Sequence, residues 1–178
     1  MLARLGERHG SPGVGVLLDG FAALREGSAD GHRATAARLQ EAGMPGVGNG
    51  LAALALAGLR LRQGEPPGKL PDAGPYAPWV RAWASSAWKQ GPVGVLPVPC
   101  SQCQENRHRR LDLPDPPPGH VADALWVLAG RAGLAVGDTD LVARAVEALT
   151  PAAGEVAGAN SGLLSFGPVA DHLAVLAA

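Results

Sequence analysis

Glycine and proline divide this chain into short apolar segments, and those segments carry the residue spacing of α-helices. Between Gly13 and Gly27, for example, the apolar residues recur at intervals of one or three, which is the periodicity of one helical face. The same periodicity returns in six later segments, at about 30–41, 48–63, 79–88, 120–136, 138–149 and 168–178. Because glycine and proline both destabilise a helix interior, they mark where these helices end. The sequence therefore predicts an all-α protein with at least six helices and at most a trace of strand.

The apolar residues are mostly Ala, Leu and Val, and aromatic residues make up only 4% of the chain. Small side chains let helices approach closely, so this composition suits helix-on-helix packing better than a sheet core. The predicted pattern is helix, turn of two to four residues, helix, as in tetratricopeptide (TPR)-like helical hairpins stacked in one domain over residues 1–178. A generic helical bundle is the alternative, since no clean repeat of about 34 residues is visible.

One segment, residues 91–118, interrupts the helical pattern. Its prolines are Pro92, Pro97, Pro99, Pro114, Pro116, Pro117 and Pro118. Proline at this density excludes a regular helix, because each one removes a backbone donor and restricts the residue before it. We expect a linker or a long functional loop inside the helical domain.

A Cys/His loop (Cys100, Cys103, His108 and His120) lies in and just after this segment. Two cysteines separated by two residues can reach one metal ion, and zinc takes four such nitrogen or sulfur ligands in a tetrahedral array. The four residues are therefore a candidate zinc site. A redox dithiol is a second interpretation, although no thioredoxin-like βαβ pattern follows. Two unconnected free thiols are the third.

Four tryptophans, Trp79, Trp83, Trp88 and Trp126, account for most of the aromatic residues. Such a cluster can form the wall of an apolar ligand pocket. The first three lie at near-helical spacing, and tryptophans at that spacing are also typical of an ordinary helix core. Both interpretations stay open from the sequence.

Charge and hydropathy favour a cytoplasmic protein that binds neither nucleic acid nor membrane. The net charge is −1, and the basic run Arg107–Arg110 has no interleaved aromatic residues to stack on bases. The first ten residues lack the apolar stretch of a signal peptide, and the longest apolar run, Leu51 to Leu59, is too short to span a bilayer.

The last predicted helix is apolar along much of its length. Asp171 and His172 are its polar residues, and we expect them at the surface, because adjacent helical positions point about 100° apart and form no obvious dyad. Either the helix packs back into the domain or it leaves apolar surface for another chain. We predict the second, a homodimer or docked partner, with the interface residues Phe166, Val169, Leu173 and Leu176.

Several short turn and packing motifs in the second half of the chain carry a family resemblance. They are Pro116-Pro117-Pro118, Ala124-Leu125-Trp126, Gly137-Asp138, Leu149–Ala153, Ala157–Leu164 and Gly167-Pro168-Val169. On these motifs, residues 113–178 resemble the C-terminal helical-repeat region of actinobacterial transcriptional activators of the SARP and AAA-ATPase/LuxR types. The resemblance implies a TPR-like architecture rather than an activity. No GxxxxGK[ST] loop and no DNA-binding helix pair is recognisable, so it extends only to the sensing or protein-interaction part of such regulators.

The predicted function is therefore a non-enzymatic helical-repeat module that binds a protein partner or a small-molecule effector, with no cofactor other than possible zinc. The alternative is a biosynthetic-cluster enzyme that uses the Cys/His loop on a helical scaffold. No catalytic residue is predicted.

Overall fold

A computed structural model of the chain describes residues 50–87, 110–161 and 164–178, together with single positions between 22 and 38. Of the described residues 65% are helical and 4% lie in strands, which confirms the all-α class. Their α-helices are α1 (Leu51–Gln63), α2 (Ala77–Ala87), α3 (Ala122–Val136), α4 (Thr139–Leu149) and α5 (Val169–Leu176). Two short strands, β1 (Val156–Ala157) and β2 (Gly167–Pro168), pair with each other, and single 3₁₀ turns lie at Gly74–Tyr76, Thr150–Ala152 and Ala159–Ser161. The two helices predicted before residue 42 fall largely outside the described residues.

Helix α1 is buried on nearly all sides. Every residue from Ala53 to Arg60 is buried, as its uninterrupted apolar sequence predicts. Gly58 lets the neighbouring structure approach closely, because a Cβ atom added there would lie 2.8 Å from the ring of Phe166. The helix is thus the central element against which the loop before α5 packs.

Helices α1 and α3 end in the same way, with a glycine in the left-handed conformation. Gly64 has φ of +67° and Gly137 has φ of +77°, values that side chains with a Cβ rarely adopt. The amide that follows each glycine donates to a carbonyl five residues earlier, Arg60 in α1 and Gly133 in α3, at 2.9 Å in both cases. These Schellman motifs satisfy carbonyls that would otherwise lack partners.

A tight hairpin joins α3 to α4. After Gly137 only Asp138 intervenes, and its Oδ1 accepts a hydrogen bond of 3.1 Å from the backbone amide of Leu141. Asp138 is therefore the N-cap of α4. The facing sides of the two helices supply much of the core, including the fully buried residues Leu125, Leu128, Leu141, Ala145 and Leu149.

Residues 110–116 form an extended strap that crosses α2 and the α3–α4 hairpin. They contain no helix, as the proline content predicts. Two residues of the strap, Leu113 and Pro116, are buried. The indole Nε1 of Trp79, on α2, donates to the carbonyl of Pro114 at 3.1 Å. The strap is therefore packed against the helices and forms part of the domain's core.

Polar contacts fix the same strap to α4. The amide of Leu111 donates to Asp138 Oδ2 at 2.8 Å, so one carboxylate both caps α4 and holds the strap. Two exposed ion pairs, Arg110 with Asp140 and Asp115 with Arg144, lie on either side of this contact. The carboxylate of Asp140 raises the pKa of the Arg110 guanidinium through a hydrogen bond and its charge. Exposed pairs of this kind stabilise a fold only slightly, so the carboxylate of Asp138 is the stronger anchor.

The loop between α4 and α5 is closed by a small antiparallel bracket. In it Val156 faces Pro168 and Ala157 faces Gly167, and the amide of Val169 donates to the carbonyl of Glu155 at 2.9 Å. The bracket brings the start of α5 back onto the body of the protein. There Leu176 lies over α3, where a Cβ atom added at Gly130 would approach its Cδ1 to 2.8 Å.

The connections between helices are more varied than the sequence pattern predicts. The α3–α4 turn has the expected length, but residues 64–76 separate α1 from α2 and residues 150–168 separate α4 from α5. Three of the helices are short, since α2 and α4 each have 11 residues and α5 has 8. Within the described residues, no helix is both long and apolar enough to cross a membrane.

Candidate ligand-binding site

A cavity of about 390 Å³ lies where α5 meets the end of α1 and the middle of α3. Its volume falls within the range of about 300–1,000 Å³ typical of small-molecule pockets. The lining residues are Leu61, Arg62, Gln63, Gly64, Arg131, Phe166, Gly167, Pro168, Asp171 and His172. We call this space the α5 cavity. Because its walls come from α1, α3, β2 and α5, it exists only when α5 is packed against the rest of the domain.

His172 forms part of the wall that α5 contributes, and it is only 5% exposed. Its Nε2 lies 2.9 Å from the carbonyl oxygen of Phe166, and its Nδ1 lies 3.2 Å from Nη2 of Arg131. A carbonyl only accepts and a guanidinium only donates, so Nε2 carries the hydrogen and Nδ1 is the acceptor. The imidazole is therefore neutral in this arrangement.

Burial is also the main reason that the pKa of His172 lies below its usual value. The nearby charge of Arg131 lowers the pKa further, whereas the hydrogen bond to Phe166 and the charge of Asp171 act in the opposite direction. The hydrogen-bond geometry and the lowered pKa of His172 therefore both favour the neutral imidazole. Protonation at Nδ1 would place a donor against the donor of Arg131 and would remove this hydrogen bond.

Arg131 reaches the cavity from α3 and is half-buried. Its Nη2 donates to His172, while its Nε is buried and has no hydrogen-bond partner among the described residues. Desolvation lowers the pKa of this guanidinium. No carboxylate within the described part of the chain forms an ion pair with it, because the ion pairs found there join other residues. A guanidinium keeps its charge in such a position, and the described residues supply no counter-ion to it.

Two exposed charged side chains stand at the rim of the cavity. Arg62 lies at the end of α1, and its Cδ would be 3.6 Å from a Cβ atom added at Gly167. Asp171 lies on α5 beside His172. Together with Arg131 they give the cavity two positive groups and one negative group.

The polar groups on the cavity wall are largely engaged with one another. Both nitrogens of His172 are engaged in hydrogen bonds, so neither is available as a general base or a metal ligand. No group of three or more His, Cys, Asp or Glu residues is placed to hold a metal ion within the described ranges. What the cavity offers a ligand is a half-buried guanidinium, a polar rim and an apolar floor.

The structure corrects the sequence interpretation of His172. We expected both Asp171 and His172 at the surface, and this is right for Asp171 but wrong for His172. His172 lies three residues after Val169 and four before Leu176, which are both buried, so helical spacing places the three on one face. This helical spacing is the sequence feature from which the burial of His172 could have been predicted.

Of the four tryptophans predicted to line a pocket, the three that the structure describes, Trp79, Trp83 and Trp126, do not line the α5 cavity. Trp79 and Trp83 are buried in the core at 5% and 2% exposure, and Trp88 lies outside the described residues. Trp126 is half-buried, with the guanidinium carbon of Arg144 5.9 Å from its ring centroid, a cation–π distance.

The Cys/His loop cannot be placed as a unit. Cys100, Cys103 and His108 lie outside the described residues, and His120 is exposed in the turn before α3. Zinc binding at this loop therefore stays a prediction.

The residues predicted to form an interface pack instead within the chain. Phe166, Val169 and Leu176 are 1%, 0% and 6% exposed, and Leu173 is half-buried. Of the two alternatives that the sequence left open, the structure shows the last helix packed back into the domain. These four side chains consequently present little surface to a second chain while α5 stays docked.

Comparisons of the chain with protein-family models, with curated protein sequences and with solved structures find no match.

Proposed function

We propose that the chain is a non-enzymatic, effector-sensing helical module of the kind found in the sensing part of transcriptional regulators. The observation that carries this proposal is the α5 cavity, which has the volume of a small-molecule site. On its wall the half-buried Arg131 is hydrogen-bonded to the buried His172. A binding role agrees with the engagement of both imidazole nitrogens, which leaves the pair without a free catalytic group.

The position of the cavity gives a ligand a way to act on the rest of the chain. A molecule in it would contact α1, α3 and α5 at once, and it would bind only the state in which α5 is docked. A ligand with this preference shifts the population toward the docked state by its differential affinity. Sensing would then consist of a change in how firmly α5 is held.

A TPR-like stack of hairpins remains the architecture that we propose for the whole chain. Its support is the α3–α4 hairpin, in which two antiparallel neighbours are joined through Gly137 and Asp138. The proposed kinship with SARP-type and AAA-ATPase/LuxR-type regulators rests on the turn and packing motifs in residues 113–178.

The described surface favours a small ligand over a protein that docks on an apolar patch. Within the described ranges, the large apolar side chains that are well exposed are Leu134 and Val156, at 37% and 40%. Single exposed residues of this kind do not form the contiguous patch that typifies a protein interface.

A cavity-filling substitution tests the proposal. We would screen small anionic, cationic and neutral compounds for stabilisation of the wild type by differential scanning fluorimetry, and then measure the hits by isothermal titration calorimetry. Leu61→Trp fills the α5 cavity from α1, while Leu134→Trp makes the same change at an exposed site on α3 and is the matched control. We expect Leu61→Trp to abolish binding and Leu134→Trp to leave it unchanged. Hits that bind both variants as tightly as the wild type, or a screen without hits of any charge, would count against an effector site in this cavity.

A further inference from the structure

We propose that the α5 cavity takes a small organic monocarboxylate, whose carboxylate group pairs with the guanidinium of Arg131. This inference deepens the proposed function and rests on it, because it names the chemical class of the effector. It is carried by the charge, hydrogen bonding and shape of the residues around the cavity.

The first argument is the missing counter-charge of Arg131. A guanidinium that is removed from water is normally paired with a carboxylate or phosphate, because an unpaired charge in a half-buried site is costly. Here Nη2 donates to a neutral imidazole, Nε is buried without a partner, and no described carboxylate lies within ion-pair distance. Arg131 lines the cavity, and Nη2 makes the one hydrogen bond that joins its guanidinium to a described residue. The Nη groups therefore have donor capacity left for a planar carboxylate in the cavity.

The neutral tautomer of His172 strengthens this argument. Because its Nδ1 accepts from Nη2 of Arg131 and its Nε2 is tied to Phe166, the imidazole holds the guanidinium in place without adding a charge. A ligand anion thus meets a pre-oriented donor, and less conformational entropy is lost on binding.

The second argument concerns the number of charges that the cavity can accept. Arg131 and Arg62 contribute two positive charges and Asp171 contributes one negative charge, so a single negative charge balances the site. The carboxyl-terminal end of α1 also faces the cavity, and its carbonyl groups carry a partial negative charge. A dianion such as a phosphate monoester would be repelled by both Asp171 and the end of α1. A monoanion carries no more negative charge than the site balances.

The third argument concerns the rest of the ligand. Leu61 and Pro168 supply apolar surface on the other walls of the cavity. A ligand that fills a space of about 390 Å³ while its carboxylate reaches Arg131 needs a compact apolar body. Short aliphatic and monocyclic aromatic acids have this shape.

The experiment compares acids with their isosteric neutral amides. Benzoate and benzamide, phenylacetate and phenylacetamide, and hexanoate and hexanamide would be titrated into the full chain at pH 7.5 by isothermal titration calorimetry. We expect at least one acid to bind roughly tenfold to a hundredfold more tightly than its amide, because the amide forfeits the charge-assisted hydrogen bonds. Arg131→Gln should remove this difference, since glutamine can still donate to His172 but carries no charge.

Matched controls separate the ligand class from the binding role itself. Arg81→Gln, on the exposed face of α2 and away from the cavity, should bind the acids as the wild type does. Arg62→Gln should weaken the acids by a smaller factor than Arg131→Gln. If Arg131→Gln does not fold, Arg131→Lys replaces it, and the loss of the fork should still weaken the acids several-fold.

Each outcome decides one of the two proposals. Acids and amides that bind equally well, or acids that bind the Arg131 variant as tightly as the wild type, would overturn the monocarboxylate inference. If neutral compounds bind the wild type but not the Leu61→Trp variant, the proposed effector-sensing function would still be supported. If phosphate monoesters bind more tightly than any monocarboxylate, the assigned ligand class is also wrong.

Discussion

The buried imidazole of His172 predicts a specific dependence of stability on pH. The pKa of His172 in the folded chain lies below 6.5, the ordinary value, mainly because burial disfavours the charged form. As the pH falls through about 6.5, the unfolded chain takes up a proton at this residue while the folded chain does not. The free energy of unfolding should therefore decrease as the pH falls from 6.5 toward the folded pKa, and His172 should contribute no pH dependence above that window.

The size of the effect follows from the uptake of one proton. A proton bound only by the unfolded chain lowers the free energy of unfolding by about 1.4 kcal/mol per pH unit. Between pH 7.5 and 5.5 the loss due to His172 is then at most about 1.4 kcal/mol, since the first half of this interval lies above the unfolded pKa. Arg131, Asp171 and Arg62 are the other ionisable side chains that line the cavity beside the imidazole.

A substitution that keeps the hydrogen bonds but cannot titrate isolates this contribution. In His172→Gln the side-chain amide can donate toward Phe166 and accept from Arg131, yet it takes up no proton. Urea unfolding of both proteins from pH 5.0 to 8.0, followed by tryptophan fluorescence, gives the difference directly. We expect the wild type to lose stability relative to this variant only below pH 6.5, and the exposed His120→Gln control to behave as the wild type does. Parallel pH profiles for the wild type and His172→Gln would refute the assignment of a neutral, buried imidazole.

Three further predictions concern the packing of α5, the anchor of the strap and the Cys/His loop. Leu176→Ala should lower the free energy of unfolding by about 2–5 kcal/mol, because it empties a buried site against α3, whereas Leu134→Ala should change it by less than about 0.5 kcal/mol in the same urea titration. Asp138→Ala should cost about 2–3 kcal/mol by thermal or urea unfolding, because two backbone amides lose their acceptor at once, and a loss below about 0.5 kcal/mol would contradict the double role of this carboxylate. If the Cys/His loop binds zinc, elemental analysis of protein purified without chelator should give about one zinc per chain, and less than a tenth of that, with both thiols titratable, would exclude the site.

Local sequence features predicted the α3–α4 hairpin well. Apolar spacing placed α3 and α4, and Gly137 and Asp138 located the turn between them, because glycine in the left-handed conformation and aspartate at an N-cap act within a few residues. The burial of α1 is likewise a local feature, because it follows from the apolar run within the helix itself.

Features that depend on distant partners were not predicted. The strap and the β1–β2 bracket form through contacts between residues far apart in sequence, as between Asp138 and Leu111 or Glu155 and Val169. The same holds for the candidate site. His172 lies next to an exposed aspartate, and its partner Arg131 is 41 residues away, so neither its burial nor its tautomer could be read from neighbouring positions.

The strap has a consequence for the order in which the domain assembles. The α3–α4 hairpin closes through a two-residue turn, whereas the strap bonds to residues 27 and 35 positions away, at Asp138 and Trp79. Closing the longer loops costs more chain entropy before any contact compensates for it. We therefore predict that the hairpin forms the folding nucleus and that the strap joins it after the rate-limiting step. Substitutions in the strap should then accelerate unfolding while leaving the folding rate nearly unchanged, the low φ-value pattern that stopped-flow fluorescence detects.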